Sequence, residues 1–519
     1  MRHSRILALG LLLAGMLTLG CSVTSSSSSE PLVETTSGII AGDFHAGVFS
    51  FKGIPYAQAE RFMPPQPPAA WEGVRQHTEF GPIAMQVNSW SPEEAMNEHE
   101  LFTVNVWTQG LDDGKKRPVM FWLHGGGFWV GASDDPITDG QWLAENGDVV
   151  LVSVNHRLNI LGFLDLSVFG ERYADSGNVG MLDVVAALEW VQNNIERFGG
   201  DPNNVTIFGE SGGGGKVGTV LSMPGAEGLF HKAIIQSGTL VNEMTQEISQ
   251  TVGRALVENL GGGENALEKL RTMPYKELVE VGDQALAQTV GLRTPGSRRV
   301  VGFAPVPDGV NLLQQPFTPG FAPMSDHIPL LIGTTLNEMM PTAYAEKQLT
   351  REEAKTRLAE TYGAETDTFV TLYEQAYEGA TPQDLLSIDT IFRPTTIEVA
   401  DARAAATDAP LYVYMLTWKS PVDDHTRGSF HGLDIPLAFH NLELGKHWTG
   451  TGAEAETVAK QMSAAWLNFA RTGDPNATEV LPIWQPYTQE NGETMIFDVP
   501  PRVVNHHDRE LMELIKAHF

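Results

Sequence analysis

The sequence predicts an α/β fold, a mostly parallel, doubly wound sheet flanked by helices, and three observations predict it. Short apolar runs recur along the chain without polar alternation, as suits strands covered on both faces. Helical patterns alternate with these runs, and strand–helix–strand order at such lengths argues for crossover units. Finally, 519 residues at 42% hydrophobic and 19% charged can bury a sizeable core, which excludes a disordered or fibrous chain. No internal period of the solenoid or propeller kind is present.

The first element is an address. Arg2, His3 and Arg5 precede an apolar run from Ile6 to Leu19, then Gly20 and Cys21. The run is too short, and too soon followed by polar residues, for a spanning helix. Ser22-Val23-Thr24 and the serine run Ser25–Ser29 follow, a composition typical of a tether. The pattern resembles a bacterial lipoprotein signal, in which the cysteine becomes the lipidated first residue, although Thr18 stands where leucine is usual. The expected organisation is a signal peptide at 1–20, a lipidated Cys21 with its tether at 21–31, and one catalytic unit at 32–519. An exported, membrane-anchored protein is expected, with Ser22 pointing to an outer membrane; plain secretion is the alternative.

Within the unit, Val119–Leu123, Val149–Val154, Val205–Phe208, Ala233–Ile235, Pro329–Ile332 and Leu411–Leu416 read as strands. Leu182, Val185, Ala186, Leu188, Trp190, Val191 and Ile195 form a helical stripe ending before Gly199-Gly200. Thr350 and Glu353 make a capping box for a helix running through Leu358. The stretches near 241–325 and 340–408 read as insertions forming a lid or cap over the sheet's C-terminal edge.

Composition narrows the function. The balance 34 − 64 = −30 repels nucleic-acid phosphates and anionic surfaces, so no nucleic-acid partner is expected and a membrane is approached only through the anchor. One cysteine allows neither an intrachain disulfide nor a cysteine-based zinc or iron–sulfur site.

Gly209-Glu210-Ser211-Gly212-Gly213 follows the strand Val205–Phe208 directly, the setting of a G-x-S-x-G elbow. Small flanking residues permit the sharp turn, and the serine oxygen emerges at a helix N-terminus. A phosphate loop is the competing reading, but Gly215-Lys216 is followed by Val217, so the magnesium-binding hydroxyl is missing. His124-Gly125-Gly126-Gly127-Phe128 also ends a strand, and its glycines let backbone N–H groups approach an oxyanion. Together the two motifs point to acyl transfer. A serine needs a base and the base an orienting acid, in the order Ser, acid, His. Residues alone leave His425, His431 and His440 as candidates for the base. Glu338 fits the acid because it follows a strand's C-terminal end, whereas Asp326 precedes that strand and belongs to the wrong edge.

Phe51-Lys52-Gly53-Ile54-Pro55-Tyr56-Ala57, Arg61-Phe62, Val104-Asn105-Val106-Trp107, Asn155-His156-Arg157-Leu158, Phe198-Gly199-Gly200-Asp201-Pro202 and Gln236-Ser237-Gly238 add to these motifs. With them the chain resembles the type-B carboxylesterase and cholinesterase family over roughly residues 35–500, and its bacterial para-nitrobenzyl-esterase-like branch in particular. The resemblance implies an α/β-hydrolase fold and a cofactor-free serine esterase acting on a small-molecule ester. It implies Ser211 as nucleophile, Glu338 as acid and, among the three histidines, His431 as base. Gly126, Gly127 and Gly212 align with the oxyanion donors, Glu210 with a carboxylate beside the nucleophile and Ser237 with a support for the acid's loop. Two positions depart from the family. Gly212 replaces the usual alanine, and Leu101 replaces an early cysteine, so that loop is expected to be held by packing alone. Trp129 reads equally as core or as a pocket wall. A lipase, an esterase specialised for toxins or polyesters, and a non-catalytic binding protein are the alternatives; the last has lost a triad member in this family, whereas Ser211, Glu338 and His431 all stand.

Overall fold

The computed structural model describes residues 30–519 apart from 88–90, 240, 243, 291–298, 301, 319, 340 and 478. The signal, Cys21 and all but the end of the tether lie outside the described residues.

Eleven strands make the main sheet: β1 Asp43–His45, β2 Val48–Pro55, β3 Thr103–Thr108, β4 Arg117–Leu123, β5 Val150–Val154, β6 Gly200–Glu210, β7 Lys232–Gln236, β8 Leu330–Thr335, β9 Leu411–Leu416, β10 Glu493–Phe497 and β11 Arg502–Asn505. Their spatial order is β11-β10-β9-β8-β7-β6-β4-β5-β3-β2-β1. From β5 to β10 the pairing is parallel throughout. Antiparallel strands close both ends. A small sheet of Leu32–Thr35, Gly38–Ala41 and Val74–Gln76 stands apart from it.

The uninterrupted apolar runs have the cause inferred for them. Every residue of β5, β7, β8, β9 and β10 is buried. Successive side chains leave opposite faces of a strand, so Val119, Phe121 and Leu123 join one core while Met120 and Trp122 join the other. The helix Val179–Asn194 seals the first core with Met181, Val184, Leu188 and Val191. The helix Ala453–Thr472 seals the second with Val458, Met462 and Trp466. The first helix tightens into a 3-10 turn at Ile195–Phe198 and stops where Gly199 takes φ 70°. The Thr350–Glu353 box is formed in both directions at the start of Arg351–Tyr362, at 2.9 and 3.3 Å.

Strand β6 is longer than its apolar stretch, because Gly200 already pairs with Arg117, and a register shift then passes over polar Asp201, Asn203 and Asn204 before Val205 meets Val119. Both inserted stretches carry helices. Gln246–Asn259, Gly263–Thr272 and Tyr275–Thr289 lie in the first. Arg351–Tyr362, Thr366–Ala376 and Pro382–Leu386 lie in the second, where they share a small core with the C-terminal helix Arg509–His518. The last helix of that stretch, Phe392–Ala406, packs on β8 and β9 and is the crossover those parallel strands require.

The loop before Leu101 is held by more than packing, correcting the expectation from the missing cysteine. Leu101 is buried in the core, but Arg61 also grips Glu98 with two hydrogen bonds of 2.7 and 2.9 Å. The same guanidinium donates to the carbonyls of Leu270 and Met273, tying the loop to the first insertion.

Candidate active site

Strand β6 ends at Glu210 and the helix Gly212–Val220 begins two residues later, which leaves Ser211 alone in the turn at φ 56° and ψ −122°. Its N–H donates to Gln236 O at 2.8 Å and its carbonyl accepts from Gly215 N at 3.0 Å, so both neighbours hold the strained geometry. Ser237, just after β7, and Glu338, just after β8, also have left-handed φ values of 46° and 47°. Non-glycine residues in that region cost about 1–3 kcal/mol each and persist only where the surroundings over-determine them. All three follow strands of the parallel run, at one edge of the sheet.

Glu338 is fully engaged. Its Oε1 accepts from Ser237 Oγ at 2.7 Å and from Thr335 N at 2.8 Å. Its Oε2 meets His431 Nδ1 at 2.5 Å. A single parallel bridge joins Glu338 to Phe430, and His431 N donates to Glu338 O at 2.9 Å, so backbone and side chain align the same pair. On the other side of the ring, His431 Nε2 makes no hydrogen bond, and Glu210 Oε1 lies 3.3 Å from it. Glu210 is the chain neighbour of Ser211, so this buried ring atom faces the carboxylate beside the elbow and makes no hydrogen bond to Ser211 itself. Phe392 lies across the imidazole, with centroids 5.0 Å apart and planes inclined by 21°.

The glycine loop after His124 meets the helix that follows Ser211 in the same place. Gly126 and Gly127 have φ 89° and 66°, open only to glycine without strain. A methyl group built on Gly212 would lie 2.3 Å from Gly127 N, so the alanine usual in the family does not fit this arrangement. Gly212 is thus a requirement of close approach. The first N–H groups of a helix lack intrahelical acceptors and are available to an anion. The ring of Trp129 lies against Gly127 and near Gly302, and it packs on the first core: it covers the loop and belongs to the core as well.

Three buried carboxylates surround His431. Burial pulls its pKa down, but Glu210, Glu338 and Asp434 together raise it to about 10. Burial pushes Glu210 up to about 8, with repulsion from Asp434 and Glu338 opposing the attraction of His431. Asp434, also raised by burial to about 6, accepts from Tyr414 Oη at 2.7 Å. Both members of the Glu210–His431 pair move upward because the crowded site holds on to a proton. The other two histidines lie elsewhere. His440 stacks on Trp142 at 3.9 Å and bonds Ser463 and Glu456, while His425 sits in a turn with φ 60°. Asp326 meets Arg403 at 3.4 Å, ahead of β8. No cluster of three or more metal-ligating side chains occurs among the described residues.

Sequence reasoning missed Phe392, Asp389 and Asp434. Asp434 was within reach, standing three residues after His431, and it is buried. Asp389 is buried and raised to about 7, by burial and then by Glu338; it accepts from Ile391 N and Arg393 N, and so fixes the turn that presents Phe392.

A parallel sheet with a strained serine after one strand, a carboxylate after another and a histidine bonded to that carboxylate defines an α/β-hydrolase-fold ester hydrolase. Comparison with known proteins agrees. The Carboxylesterase family model matches residues 29–514, and the chain belongs to that family. It is 36% identical to the para-nitrobenzyl esterase of Bacillus subtilis over 502 residues, covering 93% of this chain and 98% of that one. It is 31% identical to the phenmedipham hydrolase of Pseudarthrobacter oxydans, covering 90% and 95%. Among solved structures, an esterase of Clostridium hathewayi described as hydrolysing aliphatic aromatic polyesters superposes with a TM-score of 0.85 at 36% identity, covering 95% and 99%. The Geobacillus stearothermophilus carboxylesterase EST55 superposes with a TM-score of 0.75 at 36% identity, covering 93% and 99%. The protein is a carboxylic-ester hydrolase.

Proposed function

We propose that ester hydrolysis runs through an acyl-enzyme on Ser211, with His431 as general base, Glu338 as its orienting acid and the N–H groups of Gly126, Gly127 and Gly212 as oxyanion donors. The observation that carries this reading is the His431–Glu338 bond of 2.5 Å, which turns Nε2, without a hydrogen bond of its own, toward Glu210 beside the elbow. A carboxylate on Nδ1 fixes the tautomer in which Nε2 is basic and stabilises the imidazolium formed during attack. Ser211 Oγ adds to the ester carbonyl while its proton passes to Nε2, and the carbonyl oxygen becomes an oxyanion facing the loop. Collapse expels the alcohol, which takes the proton from His431. Water then gives a proton to Nε2 and adds to the acyl carbon; collapse breaks the bond to Oγ, which takes that proton back from Nε2 as the acid departs. Ser237 acts through Glu338 by filling its second oxygen, and Glu210 acts through the charge it places beside His431.

Ser211→Ala is expected to lower kcat by about 10⁶ with the fold intact, and the double variant with His431→Ala to lose no more, because the residues act as one unit. Rates of single and double variants on a para-nitrophenyl ester check this. A folded Ser211→Ala protein with ordinary turnover contradicts the assignment.

The chain is, on the same reading, exported and held at a membrane by a lipid on Cys21. The sole cysteine of 519 residues, placed after the apolar run and before a serine-rich stretch, supports this.

A further inference from the structure

We propose that Lys216 is a positioning residue for the oxyanion loop, its amine tying the carbonyl of His124 to the helix that carries the nucleophile. The inference rests on the reading above and deepens it. Positions 212 to 215 are all glycine, so Lys216 bears the first side chain on the helix Gly212–Val220. Four consecutive glycines weaken a helix start and leave nothing for a neighbouring loop to grip. The seam there is main chain against main chain: a methyl on Gly213 would lie 2.0 Å from Leu123 O, and one on Gly212 2.3 Å from Gly127 N. The loop has no side chain of its own from Gly125 to Gly127, and two of those glycines have left-handed φ.

Lys216 gives this seam a fixed point. Its side chain is fully buried and Nζ donates to His124 O at 2.8 Å. His124 is the residue from which the glycine loop departs, so anchoring its carbonyl sets where the next N–H groups aim. The His124 ring stacks on buried His156, with centroids 5.0 Å apart and planes inclined by 15°, which holds the same residue from its side chain. Lys216 forms no ion pair with a carboxylate among the described residues, and burial draws its amine well below the ordinary lysine range. The amine donates to the carbonyl in either protonation state. Burying a lysine without a carboxylate is costly, and packing alone would be served better by methionine or leucine. What the lysine adds is one N–H aimed at a backbone oxygen.

The test compares the full-length enzyme with Lys216→Met, which keeps length and volume but removes the donor, and with Lys216→Arg, which keeps a donor. In Lys216→Met, kcat is expected to fall by about 10²-fold, the scale of a small misplacement of catalytic groups. KM should stay within about twofold, as for an interaction made mainly in the transition state. Inhibition by a trifluoromethyl ketone, which forms a tetrahedral adduct on serine, should weaken by the same factor as kcat/KM, and Lys216→Arg should recover part of both. A purely structural role would change thermal stability without this correlation. Wild-type kcat in folded Lys216→Met, or a loss confined to KM with inhibition unchanged, overturns the proposal. Should the variants not fold, a crystal structure of the wild-type adduct decides: Nζ bonded to His124 O supports it, and Nζ turned away overturns it. An active Ser211→Ala enzyme defeats the underlying reading, whereas an inactive one beside an unimpaired Lys216→Met defeats this inference alone.

Discussion

At the scale of single residues, the site's chemistry turns on one proton among four buried groups. On the proposed mechanism His431 must be neutral to act as base, yet Glu210, Glu338 and Asp434 raise it to about 10 against the opposing effect of burial. The acid limb of kcat/KM reports the free enzyme's base. In Glu210→Gln one of the attracting charges is gone, so the proton leaves His431 more readily and that limb should move to lower pH, by roughly one unit or more. A pH–rate series on a soluble ester checks this; an unmoved limb, or one shifted upward, contradicts it. The parts of this cluster were unequally legible in the sequence. Ser211 announces itself because the strained turn requires small neighbours at fixed spacing, and Glu338 because it follows a strand. His431 needed the family resemblance, since three histidines satisfied the same order. Phe392 and Asp389 carry no local signature: long-range folding alone brings them to Glu338 and His431.

At the scale of elements, the strands were legible for the reason that makes them central: buried on both faces, they need no polar residues. The crossover helix Phe392–Ala406 was not, and its buried face explains why. That face holds Arg393, Thr395, Thr396 and Arg403 beside Phe392, Val399 and Ala400, so no apolar stripe of helical period survives. The polar members are accommodated by bonding. Arg393 reaches Asp508, at the start of the C-terminal helix, through two bonds of 2.9 Å in a fully buried pair. Burial pushes Asp508 up, but Arg393 and His507 outweigh it and hold the carboxyl well below its usual range. A depressed carboxyl contributes stability that is present above its unfolded value, near 3.9, and lost as pH falls through the folded one. Removing the partner reverses this, because an unpaired buried carboxylate prefers its proton. Arg393→Met is therefore expected to destabilise by about 3–5 kcal/mol at pH 7. The deficit relative to wild type should shrink as the pH is lowered and Asp508 becomes neutral. Denaturant unfolding of both proteins at pH 7 and pH 5 measures it, and a deficit that grows in acid would contradict the pairing.

At the scale of the whole molecule, a net charge of −30 and the lipid proposed on Cys21 would pull in opposite directions at a membrane. Anionic headgroups repel a body so acidic, so nothing in its charge would bring it to a bilayer. Lipid chains would. Each buried CH₂ contributes about 0.8 kcal/mol, and although one acyl chain binds only marginally, the diacylglyceryl and N-acyl groups of a lipoprotein cysteine act together. The repulsion is short-ranged by comparison, being screened over a Debye length of about 8 Å at physiological salt, and ten residues separate Cys21 from the first described strand at Leu32. Anchoring should then dominate at any ordinary ionic strength, and turnover should not depend on it, because the site lies wholly within the body that starts at that strand. Cys21→Ser is accordingly expected to move esterase activity from the membrane pellet to the soluble fraction with kcat unchanged, while detergent releases the wild-type enzyme with the same kcat. High salt alone should not release it, since electrostatic attraction plays no part in holding it. Release of the wild-type protein by salt, or equal soluble activity with and without the thiol, would remove the anchor and leave ordinary secretion as the route by which this enzyme meets its substrate.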